Sequence, residues 1–382
     1  FVPASTNPDI LPDTPSGVSG SSKLTKITDG AVQLKRSGGY LDMGTSHTDL
    51  VPGSGDFTIE CFLYVDVFAN YPVIVDSRVS GASDTGGFFW GLDTNGLLYL
   101  YTHSGIRIST TIVARRWYHL ALVRTSNVFK LFVDGVNIGD YTQSQNYTNQ
   151  IRYIGHSTNS ESQTWYMDGK ISNFRFVKGT AVYTNNFTPP TAPLTNVTNT
   201  KLLCCQSNAQ AGAAVTAPNM GGVNNGREWS HFTSASGGFN ASYPKYYLFD
   251  GQTPADSNRA EAASNDVPIN IDFSPAITVS STISLWSGKS STRYQINNSG
   301  SYTTYSDAVG SYKDISHSGS LSNIKILHGS AGNAAGISAI KIDGTQLKDP
   351  ATVRGDAAAT NFNQFNTDIN TVRGQETGYA TW

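Results

Sequence analysis

The sequence is short of charge. Charged residues make up 14% of its 382 residues, the formal net charge is −2, and the pI is near 6.4. Nucleic acids and anionic membranes attract clustered lysine and arginine, so we expect neither as a partner. Long hydrophobic runs are also missing. None approaches the roughly 18 residues of a membrane span, so we expect no membrane insertion.

Cysteine is scarce as well. The three cysteines, Cys61 and the adjacent Cys204 and Cys205, have neither metal-ligand spacing nor the pattern of a disulfide framework. Unpaired cysteine is among the residue types most often buried in proteins. The sequence therefore predicts three buried free thiols.

Helical periodicity is absent where it would be needed for a parallel α/β fold. No segment between Ala31 and Thr188 has a sustained 3.6-residue apolar stripe with caps. Turn residues are abundant instead, and aromatic residues reach 11%. This composition is typical of an all-β protein with many turns.

Short runs of alternating character recur between turn signals, which predicts a sandwich or a barrel. In the run Trp117–Val123 both faces are largely apolar, so we expect an inner strand that is covered on both sides. The next run ends at Asp134-Gly135, where glycine can adopt the positive φ of a tight turn. The clearest runs are "FTIECFLYV", "YPVIVDS", "GLLYLYT", "RWYHLALVR", "FKLFVDG" and "KISNFRFV".

Segments rich in proline, glycine and serine divide the chain. The predicted organisation is an extended arm or linker at 1–26, a first β domain at 27–208, a linker at 209–244, a smaller β-sandwich domain at 245–348, and a connector at 349–382 that leads to a possible further module.

Between Asp29 and Asn208 the runs resemble, in order, the laminin G-like, concanavalin A-type jelly roll. The resemblance implies an all-β jelly-roll sandwich for 27–208. The same fold carries lectins, receptor-binding modules, glycan hydrolases and spacers, so it does not choose a function. The matching runs are "AVQLKRSGGYLDMG", "DFTIECFLYV", "GFFWGLDTNGLLYLYT", "RRWYHLALVR" with "FKLFVDG", and "MDGKISNFRFVKGTAVYT".

The wider arrangement resembles virion surface proteins of tailed phages that infect marine cyanobacteria. That resemblance implies a fibre, appendage or capsid decoration at the virion surface. The implied partners are other virion proteins and a host surface glycan, and a homo-oligomer is expected because such structures repeat by symmetry. The motifs are "NPDILPDTPSGVSGSSKLTK", "FVKGTAVYTNNFTPP", "NTKLLCCQSN", "FDGQT", "IKIDG" and "TDINTVRGQETGYATW".

Catalytic pairs are hard to find. Glycan hydrolysis needs two carboxyl groups that flank the scissile bond, and the glutamates form no Glu-x-Asp-x-Glu pattern. We expect Glu60 to be a solvated strand carboxylate and His119 to be a structural histidine without a nearby nucleophile. The sequence therefore predicts a protein that is not an enzyme.

Sugar binding by the first domain would use aromatic side chains beside polar loop groups, because a ring face packs on the apolar side of a pyranose. The candidates are Tyr71, Trp90, Tyr101, His103, Tyr147, Trp165 and Tyr166. Ca²⁺, which jelly rolls of this type often hold, has Asp76, Asp84 and Asp93 as candidate ligands. Aspartates in turns also serve to hydrogen-bond their own backbone.

Three functions stay open, in this order. The first is a non-enzymatic virion surface protein of a tailed phage that attaches to a host glycan or decorates the capsid. The second is a bacterial cell-surface or secreted carbohydrate-binding protein. The third is a glycan hydrolase.

Overall fold

The structure, a computed structural model, describes residues 30–45, 47–79, 85–157, 164–216, 226–253, 259–305 and 309–362. The predicted arm at 1–26, Asp84 and everything after residue 362 lie outside these ranges. Within them the regular structure is β-strand, with short 3-10 turns at Thr48–Leu50, Trp229–Phe232 and Lys245–Leu248 and no α-helix. No helix in these ranges is long and apolar enough to cross a bilayer.

The strands are numbered along the chain. The first thirteen are β1 Gly30–Leu34, β2 Tyr40–Asp42, β3 Phe57–Val65, β4 Val73–Asp76, β5 Phe89–Leu92, β6 Leu97–Thr102, β7 Gly105–Thr111, β8 Trp117–Thr125, β9 Val128–Val133, β10 Val136–Thr142, β11 Tyr153–Ile154, β12 Gly169–Lys178 and β13 Thr200–Cys204. The others are β14 Ala214–Thr216, β15 Thr233–Ala235, β16 Ala260–Glu261, β17 Ile269–Val279, β18 Thr282–Ser287, β19 Thr292–Ile296, β20 Thr303–Tyr305, β21 Tyr312–Ser316, β22 Gly319–His328, β23 Gly336–Ile342, β24 Thr345–Gln346, β25 Thr352–Arg354 and β26 Ala358–Asn361.

The chain divides into two compact units. Unit 1 takes the described residues within 1–40, 50–211 and 354–382, and unit 2 takes those within 41–49 and 212–353. Strand β26 follows unit 2 in sequence and pairs antiparallel with β1, with Gly30 opposite Asn361. The sequence analysis placed β26 inside the connector at 349–382 and did not predict this pairing.

The larger sheet of unit 1 runs β10-β9-β8-β3-β12-β1-β26, and β13 also pairs with β12. The nine residues of β3 are all buried. In β8, which lies between β3 and β9, Leu120 and Ala121 are both fully buried although they point to opposite faces. This confirms the prediction of an inner strand that is covered on both sides.

The smaller sheet of unit 1 runs β4-β5-β6-β7. Its inner face carries Trp90, Leu98 and Leu100, all fully buried. Aromatic rings fill the space between the two sheets: the Phe57 and Phe88 centroids are 5.9 Å apart, and the Phe129 and Tyr147 centroids are 5.5 Å apart. Aromatic side chains bury large areas and dominate such cores.

The outer face of the larger sheet is covered by residues 179–197, here called the covering segment. Its Tyr183 and Phe187 rings stack with centroids 3.7 Å apart. Phe187 packs on Phe132 of β9, with centroids 5.3 Å apart. The covering segment explains why this sheet has apolar residues on both faces.

The predicted Asp-Gly turn between β9 and β10 is confirmed. Asp134 and Gly135 have φ values of 48° and 77°, and the Asp134 carboxylate accepts the backbone N–H of His119 at 2.9 Å. Asp343 and Gly344 repeat this geometry in unit 2, with φ values of 49° and 80°. There the Asp343 carboxylate accepts backbone N–H groups from Ser280 to Thr282 at 2.7–3.0 Å. In both turns the aspartate also fixes a neighbouring strand.

Unit 2 consists of two sheets, β15-β17-β22-β19-β20 and β16-β23-β18-β21, with β24 paired to β23. Its core includes Ile271, Leu285, Ile324 and Ile340. Part of the predicted linker at 209–244 belongs to it: Trp229 is buried in this core, and β15 pairs with β17. The glycine- and serine-rich composition of this segment gave no indication that Trp229 packs in the core of unit 2 and that Phe239 packs against it.

Candidate functional site

Glu60 lies on the outer face of the larger sheet and is fully buried, not solvated as expected. Arg175, directly opposite on β12, donates from Nε to Glu60 Oε1 at 2.8 Å. The Tyr183 hydroxyl donates to Glu60 Oε2 at 2.8 Å, and His119 Nε2 lies 3.2 Å from the same oxygen. Burial disfavours the charged carboxylate, but the His119 hydrogen bond and the Arg175 guanidinium outweigh it and hold the pKa of Glu60 below its ordinary value.

This buried network lacks the features of an active site. Both carboxylate oxygens of Glu60 are bonded by protein groups, and the side chains of Glu60 and His119 have no exposed surface. A general acid or base must reach the proton that it transfers. The network instead ties the covering segment to the sheet, because Arg175 also donates from Nη1 to the carbonyl of Thr195 at 2.8 Å.

A second group of aromatic residues lies on the outer face of the smaller sheet. We call it the aromatic platform and define it as Tyr71, Phe89, Tyr99, Tyr101 and Trp165. The Tyr71 and Trp165 rings stack with centroids 4.4 Å apart at an interplanar angle of 27°. Phe89 stacks on Tyr99 with centroids 5.0 Å apart and meets Trp165 edge-on. Tyr71 is 37% exposed, while Trp165 and Tyr101 are partly exposed.

Strand alternation builds the platform. Tyr99 and Tyr101 share a face of β6, and Leu98 and Leu100 point the other way into the core. Gly91 lies beside Tyr99 on β5, and a Cβ at Gly91 would come within 2.6 Å of the Phe89 ring. The missing side chain therefore lets the Phe89 ring lie over its own strand.

One guanidinium lies against the platform. The Arg78 guanidinium carbon is 5.2 Å from the Phe89 ring centroid and 5.1 Å from that of Tyr101, within the range of a cation–π interaction. Asp76 holds it through Nε and Nη2, both at 2.9 Å, and Ser157 Oγ donates to Asp76 at 2.7 Å. Burial raises the pKa of Tyr99 well above its ordinary value, so this phenol stays a neutral donor.

Residues 36–182 match the Laminin_G_3 family model, that of the concanavalin A-like lectin/glucanases superfamily. The chain contains a concanavalin A-like domain. The predicted all-β, concanavalin A-like fold followed by further β structure is thereby confirmed. No curated protein matches the chain.

Solved structures resemble part of the chain at low identity. A candidate carbohydrate-binding protein from Bacteroides ovatus ATCC 8483 is 17% identical, with a TM-score of 0.38; the match covers 50% of this chain and 56% of that one, little more than half its length. The SAP-like pentraxin of Limulus polyphemus is 13% identical over 42% of this chain and 80% of its own, with a TM-score of 0.32. The CBM40 of the Ruminococcus gnavus IT-sialidase, bound to α2,3 sialyllactose, is 13% identical over 42% and 92%, with a TM-score of 0.31. With identities and TM-scores this low, these likenesses carry no argument about this chain.

The seven sugar-binding candidates are distributed over the concanavalin A-like domain. The aromatic platform brings three of them together: Tyr71, Tyr101 and Trp165. Trp90 and Tyr147 are fully buried between the sheets, so neither can offer a ring face to a ligand. Their rings fill the core because they point inward.

The other two candidates are not members of the aromatic platform. His103 is in the β6–β7 turn with a φ of 50°, and its Nδ1 is 3.1 Å from Thr102 Oγ1. Tyr166 stacks on His156 with centroids 4.2 Å apart, beside Tyr40.

Sequence reasoning missed Phe89, Tyr99 and Arg78. Tyr99 could have been found, because in "GLLYLYT" it is two residues from the candidate Tyr101 and must share its face. Phe89 could not, because both residues of "FW" are aromatic and alternation does not say which one points inward. Arg78 is two residues after Asp76 at a strand end, which was a usable signal.

Two of the three calcium candidates, Asp76 and Asp93, do not fit a Ca²⁺ site. Asp76 is buried and already neutralised by Arg78. Asp93 accepts the backbone N–H groups of Asn95 and Leu97, both at 2.8 Å, as a turn aspartate does. Asp84 lies outside the described residues. Within the described ranges, no group of three or more His, Cys, Asp or Glu side chains could hold a metal ion.

Proposed function

We propose that the concanavalin A-like domain binds carbohydrate on the aromatic platform and does not cleave it. The observation that supports this proposal is the stacked pair of Tyr71 and Trp165, partly exposed on the outer face of a sheet. Aromatic faces pack on the apolar side of pyranose rings, and nearby polar groups fix the hydroxyls. Arg78, held by Asp76, makes the underlying layer rigid.

We propose no cleavage because the carboxylates of Asp76 and Glu60 are buried. Hydrolysis requires an acid and a second carboxylate on either side of the scissile bond. Asp76 is fully buried, and its carboxylate is paired with Arg78, the guanidinium that lies against the platform. Glu60 is buried under the covering segment. Neither can reach a bound glycan.

Binding can be tested with the full chain and a panel of algal and cyanobacterial polysaccharides by affinity electrophoresis and titration calorimetry. We expect Trp165→Ala and Tyr71→Ala each to weaken binding at least about tenfold, because a stacking face is lost. Tyr141→Ala, which removes a half-buried tyrosine packed on Arg107, is the matched control and should bind as wild type. Binding that survives both platform variants would disprove the proposal.

Cleavage has its own test. The full chain is incubated with the same polysaccharides, and new reducing ends are measured over time. We expect none. Reducing ends that appear with wild type and disappear in Glu60→Gln would show that the chain is a hydrolase.

We further propose that this binding serves a virion surface protein of a tailed phage, together with other virion proteins and a host surface glycan, and with the chain as a homo-oligomer. The proposal rests on sequence motifs such as "FVKGTAVYTNNFTPP" and "TDINTVRGQETGYATW". Immunogold electron microscopy of purified particles tests it. Labelled virions would support it, whereas labelled bacterial surfaces would favour the second function, a cell-surface or secreted carbohydrate-binding protein.

A further inference from the structure

Unit 2 contains a cleft of about 400 Å³ beside the β19–β20 hairpin. β20 is the edge strand of its sheet. His317, in the loop after β21, also lines the cleft. Ligand pockets in proteins usually have volumes of about 300–1,000 Å³. The cleft is therefore large enough for a small organic ligand, and it lies outside the concanavalin A-like match at 36–182.

The floor of the cleft is apolar. Tyr294 and Ile296 alternate on β19 and pack, partly buried, against the core of unit 2. Both residues also line the cleft, and their packing against the core leaves them partly exposed. A sugar ring has an apolar C–H face that suits such a floor.

The rim of the cleft carries hydroxyl groups that are not used elsewhere. The side chains of Ser299, Ser301 and Thr303 line it, and none of them makes a side-chain hydrogen bond within the described part of the chain. The Tyr294 hydroxyl is likewise without one there. Each such group can donate and accept a hydrogen bond. Together they form a ring of available hydrogen-bonding groups around an apolar floor.

The turn that carries these serines is held in place. Asn297 donates from Nδ2 to the carbonyl of Ser320 at 2.8 Å, and its Oδ1 accepts the backbone N–H of Ser322 at 2.7 Å. Gln295 Nε2 donates to the carbonyl of Gly300 at 2.6 Å. A turn fixed in this way loses little conformational entropy when a ligand binds.

His317 adds the second observation that points to a ligand. Its Nε2 is shielded from solvent and has no hydrogen-bond partner among the described residues. A buried ring nitrogen left without a hydrogen bond is costly, so a ligand hydroxyl in the cleft that pairs with Nε2 would be favoured.

We propose that this cleft is a second binding site, specific for a neutral saccharide of one or two rings. Among the described residues that line it there is no aspartate, glutamate, lysine or arginine, so these residues offer a charged ligand no counter-charge. An extended peptide could pair with β20, the edge strand of its sheet. We favour the saccharide because the lining offers side-chain hydroxyls and an aromatic ring, the groups that recognise sugars.

The test uses the full chain and titration calorimetry with three neutral disaccharides: cellobiose, maltose and lactose. We expect at least one to bind with a Kd near or below about 1 mM. The double variant Ser301→Ala, Thr303→Val should weaken it at least tenfold, and Tyr294→Phe, which keeps the ring, by a few-fold. Ser234→Ala removes an exposed hydroxyl on β15, at the opposite edge of the same sheet, and should bind as wild type.

The outcomes separate the cleft from the aromatic platform. Disaccharide binding that is lost in the cleft variants but kept in Trp165→Ala supports the cleft. Binding that is lost in Trp165→Ala alone overturns the cleft and leaves the platform intact. The cleft proposal is also overturned if none of the three sugars binds, or if the cleft variants abolish binding of an extended peptide library instead. Thermal melting of each variant confirms that it is folded.

Discussion

Glu60 and Arg175 stand opposite each other on β3 and β12, buried under the covering segment and joined from Nε to Oε1 at 2.8 Å. A charge pair in such a place gains little net energy from its formation, because both groups lose their hydration. Removing one partner is different, since the other then remains buried and uncompensated. The pair is therefore more important for keeping the covering segment in one position than for total stability.

Breaking this pair should be severe. Arg175→Met leaves the Glu60 carboxylate buried without its counter-charge, and we expect the free energy of unfolding to fall by about 3–5 kcal/mol. Urea denaturation measures it. Lys130→Met, which breaks the exposed Lys130–Asp140 pair, is the control and should cost about 1 kcal/mol or less. Equal losses in the two variants would show that Glu60 is not desolvated.

Stability should fall as the pH rises from about 4 to 7. Burial, and next the nearby Glu228 carboxylate, raise the pKa of Asp349 from 3.8 to about 7. Between these values the folded chain holds a proton that the unfolded chain has released, so the free energy of unfolding decreases as the pH increases, by on the order of 3 kcal/mol. Urea denaturation across this range should show the slope in wild type and a much smaller slope in Asp349→Asn, where burial still raises the pKa of Glu228.

The control for this slope is Asp343→Asn. Hydrogen bonds from backbone N–H groups hold the pKa of Asp343 below its ordinary value, so its stabilising effect is lost only as the pH falls below about 4. The slope between pH 4 and 7 should therefore persist in Asp343→Asn. If wild type shows no slope in that range, Asp349 is ionised in the folded chain.

The two Asp-Gly turns allow a matched comparison of glycines. A Cβ at Gly344 would meet nothing within 4 Å, so Gly344→Ala adds only the strain of a positive φ, about 1–2 kcal/mol. A Cβ at Gly135 would overlap the carbonyl of Phe187 in the covering segment. Gly135→Ala should therefore cost about 1–3 kcal/mol more than Gly344→Ala in urea denaturation. Equal costs would mean that the covering segment yields at no cost.

The three thiols should be inert in the folded chain. All three cysteines are buried and free, as predicted, and burial raises the pKa of Cys61. A thiol-reactive dye should label none of them in native buffer on a timescale of minutes and all three in denaturant. Ser144→Cys, an exposed position on the same domain, is the positive control. Rapid native labelling of wild type would contradict the burial.

Local sequence patterns predicted much of this fold. They did not predict contacts between residues that are far apart in the sequence. Alternation in "GLLYLYT" and "RWYHLALVR" predicted β6 and β8, and the turn at Asp134-Gly135 followed from glycine's freedom at positive φ. Glu60 was interpreted as solvated because its partner Arg175 is 115 residues away and meets it only through the register of two strands. A local pattern cannot report such a partner.

The candidate site could also be predicted only in part. The sequence indicates which residues are aromatic but not which side chains come together. Tyr71 and Trp165 were both candidates, but their stacking depends on two separate loops. Trp90 was a candidate for the same reason as Trp165, its size and aromatic character, and only the inward direction of its side chain on β5 excludes it. Strand β26, "AATN", has no apolar pattern, so its pairing with β1 left no signal in the sequence.

The pairing of β1 with β26 has a mechanical consequence. Gly30 and Asn361 are partners at one end of an antiparallel ladder, so the chain enters β1 and leaves β26 at the same end. A tensile load between those two points acts on the hydrogen bonds one after another, as in opening a zip, and does not shear them all at once. Force would therefore release β1 and β26 long before it disturbed the β3–β8 pair at the centre of the sheet.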